Sequence, residues 1–214
     1  MAHDINNPAG AINMAIDALY NIDDEEKKKE ALDIMKNCIK RIINIANSTL
    51  NQIKNFGSTV KQKFTIKDFM KEIETNSDII NRLTESNCSL KVLINNDIEL
   101  YGERLKLNQV ITNMITNSIL CYQEINKTGE IIVKLSQDDK YHTISVEDEA
   151  GGIPEEVQKV LLKDIFTTRG TKGTGVGLYL GNIAIQESFG GEITFDTQVR
   201  KGNDISCKIF KKYV

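Results

Sequence analysis

No apolar run in this sequence of 214 residues approaches the roughly 20 residues that a membrane-spanning helix requires, and no signal peptide opens it. Membrane contact by this segment is therefore not expected. Nor is there an excess of charge. The 27 Lys and Arg against 30 Asp and Glu leave a net charge of -3, which is no electrostatic footprint for nucleic acid. Mixed runs such as Glu25-Glu26-Lys27-Lys28-Lys29 read as a solvated helix face. Cysteine is sparse: Cys38, Cys88, Cys121 and Cys207 stand far apart without metal-ligand spacing. Reduced thiols in a cytoplasmic protein are expected. Proline is limited to Pro8 and Pro154, and each sits inside a candidate motif.

What is present is a sequence 40% hydrophobic, enough for a core, and long enough for one large domain or one small and one medium domain. Over residues 2–20 Ala2, Ile5, Ala9, Ile12, Ile16 and Leu19 recur at spacings of three and four, a heptad-like helical stripe. Pro8 falls in its first turns, where a missing N–H costs least if the helix begins there. A turn at 21–24 follows, and Asp23 with Glu26 resembles a capping box. A second helix runs to about residue 56 on the stripe Leu32, Met35, Ile39, Ile42, Ala46, Thr49 and Ile53. The short loop makes the two helices antiparallel neighbours, and two copies of such a hairpin would form a four-helix bundle. The second helix is much the longer, and His3 is almost the first residue; a fragment of a longer protein is expected.

Gly57-Ser58-Thr59 marks a domain boundary, giving expected domains of 1–57 and 58–214. Beyond it the patterns predict strands near 62–66, 88–94 and 98–101, with helices at 67–84 and 103–125. A strand hairpin at 130–137 and 141–148 comes next. A short helix from Pro154, an irregular stretch at 163–174, a helix at 175–188 and strands at 191–198 and 203–210 complete the chain. Blocks of helix against mostly hairpin-linked strands give an α+β fold, a sandwich of a mixed sheet and one helical layer.

Four elements carry chemistry. Asn113 and Asn117 are four apart and share a helix face opposite Val110, Met114 and Ile115. An amide oxygen is a hard neutral ligand suited to a Mg²⁺ otherwise held by water and phosphates. Asp148 ends a strand, where a carboxylate accepts a hydrogen bond from an exocyclic amine such as adenine's. Gly151 and Gly152 let the backbone approach a flat ring. Gly173-Thr174-Gly175-Val176-Gly177 leads into a helix and so offers N–H donors to phosphate. The run has neither the Gly-Lys-Ser/Thr of a P-loop nor the spacing of a dinucleotide fingerprint. The preceding Phe166-Thr-Thr-Arg-Gly-Thr-Lys172 reads as a mobile lid, with Arg169 and Lys172 near the phosphates. Upstream, His3 and Asn7 lie one turn apart, and Asp4 sits about 100° around the helix from His3. A neighbouring carboxylate holds one imidazole nitrogen as a donor and leaves the other as a nucleophile. Asn7 is placed to orient a water. Each element alone has a plain structural reading; their fixed order on the expected secondary structure is the joint signal.

In that order the chain resembles the kinase core of sensor histidine kinases over nearly its whole length. His3-Asp-Ile-Asn-Asn-Pro8 is similar to the family's phosphoacceptor box, and Asn113-Met-Ile-Thr-Asn117 to its N box. Asp148 to Pro154 and Gly173 to Gly177 resemble its two glycine boxes, and Gly190-Gly191 the glycine pair after the next helix. The resemblance implies a homodimeric helical hairpin followed by an α/β sandwich of the Bergerat type that binds ATP with Mg. It implies that His3 accepts the γ-phosphoryl group and passes it to an aspartate of a response regulator. It further implies Asp4 as base, Asn7 in a phosphatase reaction, Asn117 as the Mg-binding residue and Asp148 as the adenine-binding one.

The chain departs from the family pattern at four places. Ala150 stands where the first glycine of Asp-x-Gly-x-Gly is usual. Leu120 stands where a basic residue is common. The phenylalanine box is reduced to Leu162, Ile165 and Phe166, and the sequence near the end reads Gly202-Asn-Asp. Two alternative readings therefore stand beside the kinase: a degenerate kinase acting as a dimeric docking platform for a response regulator, and another ATPase of the same superfamily.

Overall fold

The computed structural model describes residues 2–21, 24–55, 60–159, 161–162, 176–198 and 201–211. They fall into two compact units. The first holds two long helices, α1 (Ala2–Asn21) and α2 (Glu25–Asn55). Helix α1 runs through Pro8, whose missing N–H leaves the carbonyl of Asp4 without its usual helical donor. Asp24 caps α2: its carboxylate accepts the N–H of Glu26 at 2.9 Å and that of Lys27 at 3.4 Å. The cap therefore belongs to Asp24, while Asp23 of the expected capping box lies outside the described residues. Glu25 and Glu26 in the first turn add a favourable interaction with the helix dipole.

The second unit begins with β1 (Gln62–Thr65), α3 (Ile66–Glu74), α4 (Ser77–Ser86), β2 (Ser89–Leu93) and β3 (Glu99–Gly102). The long helix α5 (Arg104–Glu124) and the hairpin of β4 (Glu130–Gln137) and β5 (Tyr141–Asp148) follow. Then come α6 (Glu155–Gln158), α7 (Val176–Phe189), β6 (Glu192–Gln198) and β7 (Gly202–Phe210). The main sheet has the order β2-β4-β5-β7-β6. β2 pairs parallel to β4, and the other pairs are antiparallel, so the sheet is mixed. β1 and β3 form a separate two-stranded antiparallel ribbon.

Two features differ from the sequence expectation. The helix expected over 67–84 is two helices, because the Asn76 side chain accepts the N–H groups of Asp78 and Ile79 and starts a new helix there. An Asn at that position competes for the backbone and favours a cap over helix interior. The two strands flanking this region, β1 and β3, leave the main sheet and pair with each other.

The sheet is covered on one face, and β7 alternates strictly between buried and half-buried residues. Helix α5 packs over β4 and β5. Its buried stripe, Leu107, Val110, Ile111, Met114, Ile115, Ser118, Ile119 and Tyr122, follows helical spacing. Phe69 and Ile73 from α3, Ile185 and Phe189 from α7, and Ile144, Val146, Ile205 and Ile209 from the sheet complete one core. Each such side chain contributes about 1.5–3 kcal/mol on burial. Helix α7 ends on Gly190 at φ 61°, the left-handed conformation that closes a helix. The next residue, Gly191, faces the backbone carbonyl of Lys208 with no space for a Cβ. Among the described residues no helix is long and apolar enough to cross a membrane.

Candidate functional site

The core-facing stripe of α5 carries one polar residue at its centre, Ser118, and this residue locates the site. Its hydroxyl donates to Asp148 Oδ2 at 2.7 Å. Asp148, the last residue of β5, is only 7% exposed. Its other oxygen accepts the N–H of Ala150 at 2.9 Å, and the amide of Asn203 bridges both oxygens at 3.0 and 3.3 Å. A buried charge needs such donors, and here three neutral groups supply them. Asn203 is the cross-strand partner of Asp148 in the β5–β7 ladder. Below the same corner Tyr122 Oη accepts the N–H of Glu149 at 2.9 Å and donates to the carbonyl of Glu130 at 3.3 Å. Burial, foremost, pushes the Tyr122 phenol up.

Gly151 and Gly152 follow with φ of 98° and 79°. These angles are open to glycine and costly for other residues. Among the described residues nothing would meet a Cβ at Gly151. Ala150 needs no such freedom. Its methyl is buried in the core, and its N–H serves Asp148.

Asn113 and Asn117 lie half-buried on α5, the helix whose core-facing Ser118 reaches Asp148. Asn113 Oδ1 accepts from Gln109 Nε2 at 3.0 Å. Its Nδ2 is buried and has no partner among the described residues. A Cβ on Gly177, in the first turn of α7, would lie 3.1 Å from that nitrogen. An orphaned buried donor beside a glycine at a helix start fits a phosphate oxygen. The structure thus brings Asn113, Asn117, Asp148, Gly152 and Gly177 into one unit and joins the first to the last. Among the described residues no group of three or more His, Cys, Asp or Glu forms a metal cluster. A divalent cation here would rest on an amide and on ligand phosphates, which suits Mg²⁺.

Arg169, Lys172, Gly173, Thr174 and Gly175 lie outside the described residues. His3, Asp4 and Asn7 are on α1 in the other unit, with Asn7 exposed. Sequence reasoning missed Ser118, Tyr122, Thr197 and Asn203. Ser118 had a signal: it follows Asn117 and falls between the inward apolar residues Ile115 and Ile119 of α5. Asn203 and Thr197 had none, since only strand register brings them to Asp148.

Comparison with known proteins adds to this geometry. The family model described as histidine kinase-, DNA gyrase B- and HSP90-like ATPase matches residues 102–212, just over half of the chain. The chain is 26% identical over 207 residues to sporulation kinase C of Bacillus subtilis, covering 95% of itself and 46% of that protein. It is 25% identical over 228 residues to hybrid signal transduction histidine kinase L of Dictyostelium discoideum, covering 100% of itself and 13% of the relative. It therefore spans less than half the length of either relative. Among solved structures, histidine kinase ThkA in complex with the response regulator TrrA shares the fold, at TM-score 0.64 and 21% identity. That match covers 98% of this chain and 59% of the other.

Proposed function

Because the chain belongs to the histidine kinase-, DNA gyrase B- and HSP90-like ATPase family, we propose that it is the ATP-dependent kinase core of a sensor histidine kinase. Residues 58–214 bind ATP, and residues 1–57 form the dimerising hairpin that presents His3. The observation that carries the reading is the presence in one unit of a buried acceptor, Asp148, and a buried donor, Asn113 Nδ2, that has no partner among the described residues. An adenine amine is a donor and suits the first; a phosphate oxygen is an acceptor and suits the second.

In this mechanism Asp148 holds the adenine, and Gly152 keeps the backbone close to the ring. Asn113, Arg169, Lys172, Gly173, Thr174, Gly175 and Gly177 hold the phosphates through amide, cationic and backbone N–H groups. Asn117 would hold Mg²⁺, which when bound neutralises charge on the phosphates. The free imidazole nitrogen of His3 attacks the γ-phosphorus, the bond to the ADP oxygen breaks, and Asp4 takes the imidazole proton. The phosphoryl group then passes to an aspartate of a response regulator; the structural relative solved with such a partner supports this step. Asn7 would orient the water of a phosphatase reaction. Work on ATP and a receiver domain is work in the cytoplasm.

The docking-platform alternative drew on Ala150 and Leu120. Ala150 is absorbed in the core while its N–H supports Asp148, which favours the active kinase. Incubation of the full chain with γ-labelled ATP and Mg²⁺ tests the proposal. Acid-labile label is expected on the wild type and on neither His3→Ala nor Asp148→Ala. Label retained in His3→Ala would overturn the assignment of the acceptor, and a folded wild type that takes no label would overturn the kinase reading.

A further inference from the structure

Helices α5 and α7 lie side by side, and polar groups meet at both ends of their contact. At one end a Cβ on Gly177 would lie 3.1 Å from Asn113 Nδ2, and between the ends a Cβ on Gly181 would lie 3.3 Å from Val110 Cγ2. At the other end Ser188 Oγ, in the last turn of α7, donates to Glu103 Oε1 at 2.8 Å. The contacts run in opposite order along the two helices, which are therefore antiparallel. Glu103 stands at the N-cap position of α5, yet its side chain makes no cap bond. The oxygen that Ser188 reaches also accepts from Lys106 Nζ at 3.1 Å. All three residues are buried, Ser188 to 1% exposure. A charged pair taken out of water is costly to hold, and the serine is the neutral donor that ties it to α7.

Gly177, Gly181 and Ser188 are spaced by four and seven and share one face of α7. The two glycines offer no side chain to the grooves of α5, so interdigitation leaves the register of the contact loose there. Apolar contact with Val110 is non-directional and does not resist a slide. A hydrogen bond to a buried carboxylate does, because it holds only within narrow limits of distance and angle. We propose that Ser188, through Glu103, is a positioning residue for phosphate binding: it fixes where α7 lies along α5 and so holds Gly177 against Asn113 at the opposite end. The inference rests on the reading of Asn113 and Gly177 as phosphate-binding groups.

Binding of ATP and of adenosine to the full chain in Mg²⁺, measured by calorimetry, tests this on wild type, Ser188→Ala, Ser188→Cys and Asn76→Ala. Adenosine carries the base without the phosphates, and wild type is expected to prefer ATP. In Ser188→Ala the ratio of ATP to adenosine affinity should fall several-fold, with about ten-fold, the scale of one lost hydrogen bond to a charged group, as the ceiling. Ser188→Cys keeps a weak donor of similar size and should fall less. Asn76→Ala removes a helix cap in the same unit, at the junction of α3 and α4, and should leave the ratio at the wild-type value. An unchanged ratio in Ser188→Ala, or an equal fall in Asn76→Ala, would overturn the inference while leaving the nucleotide site standing. A wild type that binds ATP no more tightly than adenosine would overturn the reading of Asn113 and Gly177 as phosphate-binding groups, and the inference with it.

Discussion

His142 lies on β5 among core residues, 7% exposed, with its Nδ1 buried and without a partner among the described residues. It sits opposite Gln137 on β4 and Ile209 on β7. Burial, first, and the nearby Lys211 cation, second, hold its pKa below the ordinary 6.5. The folded protein therefore binds this proton less readily than the unfolded chain. Stability from the neutral imidazole is complete above pH 6.5 and is lost as the pH falls from there towards the lower folded value. Melting temperatures measured between pH 7.5 and 5 should drop for the wild type and drop less for His142→Phe. Equal slopes would show that His142 is not the group responsible. Cys207, on the core face of the neighbouring strand β7, follows the same logic: burial pushes its thiol up and keeps it a hydrophobic residue.

At the scale of elements, the short polar side chains decide where helices stop. Asn76 divides α3 from α4 by capping the second, and Thr65 caps the first by accepting the N–H of Asp68 at 3.3 Å. Asn76→Ala should cost about 1 kcal/mol, read as a lower midpoint in denaturant with an unchanged slope. No change would mean that the helices break there for another reason. The hairpin of β4 and β5 was legible residue by residue. Alternating apolar positions on both sides meet at Asp138, whose carboxylate accepts the N–H groups of Lys140 and Tyr141 at 2.7 and 2.8 Å. Both the alternation and the turn are local. The break at Asn76 was less visible: Ile66, Phe69 and Ile73 step by three and four, Ile79 and Leu83 step by four, and only the six-residue step from Ile73 to Ile79 interrupts the rhythm.

On the scale of the whole molecule, α2 carries Leu32, Ile39 and Ile43 at 46–51% exposure, seven and four residues apart and so on one helix face. A second copy that covered them would remove this apolar surface from water. The full chain is expected to sediment as a dimer, and Leu32→Glu with Ile39→Glu should shift it to a monomer; a wild-type monomer at micromolar concentration would rule out the bundle. The sequence by itself determined the order of elements and most of their limits, since period and caps are written in neighbouring residues. It also determined the identity of Asn113, Asn117 and Asp148 as the polar groups to watch, because each breaks a local apolar pattern or ends one. Only the tertiary structure decided what surrounds Asp148. Its bridging donor, Asn203, lies 55 residues away and reaches it through the register of β5 against β7. Register depends on how the whole sheet buries one face, and no local pattern encodes which residue that brings opposite.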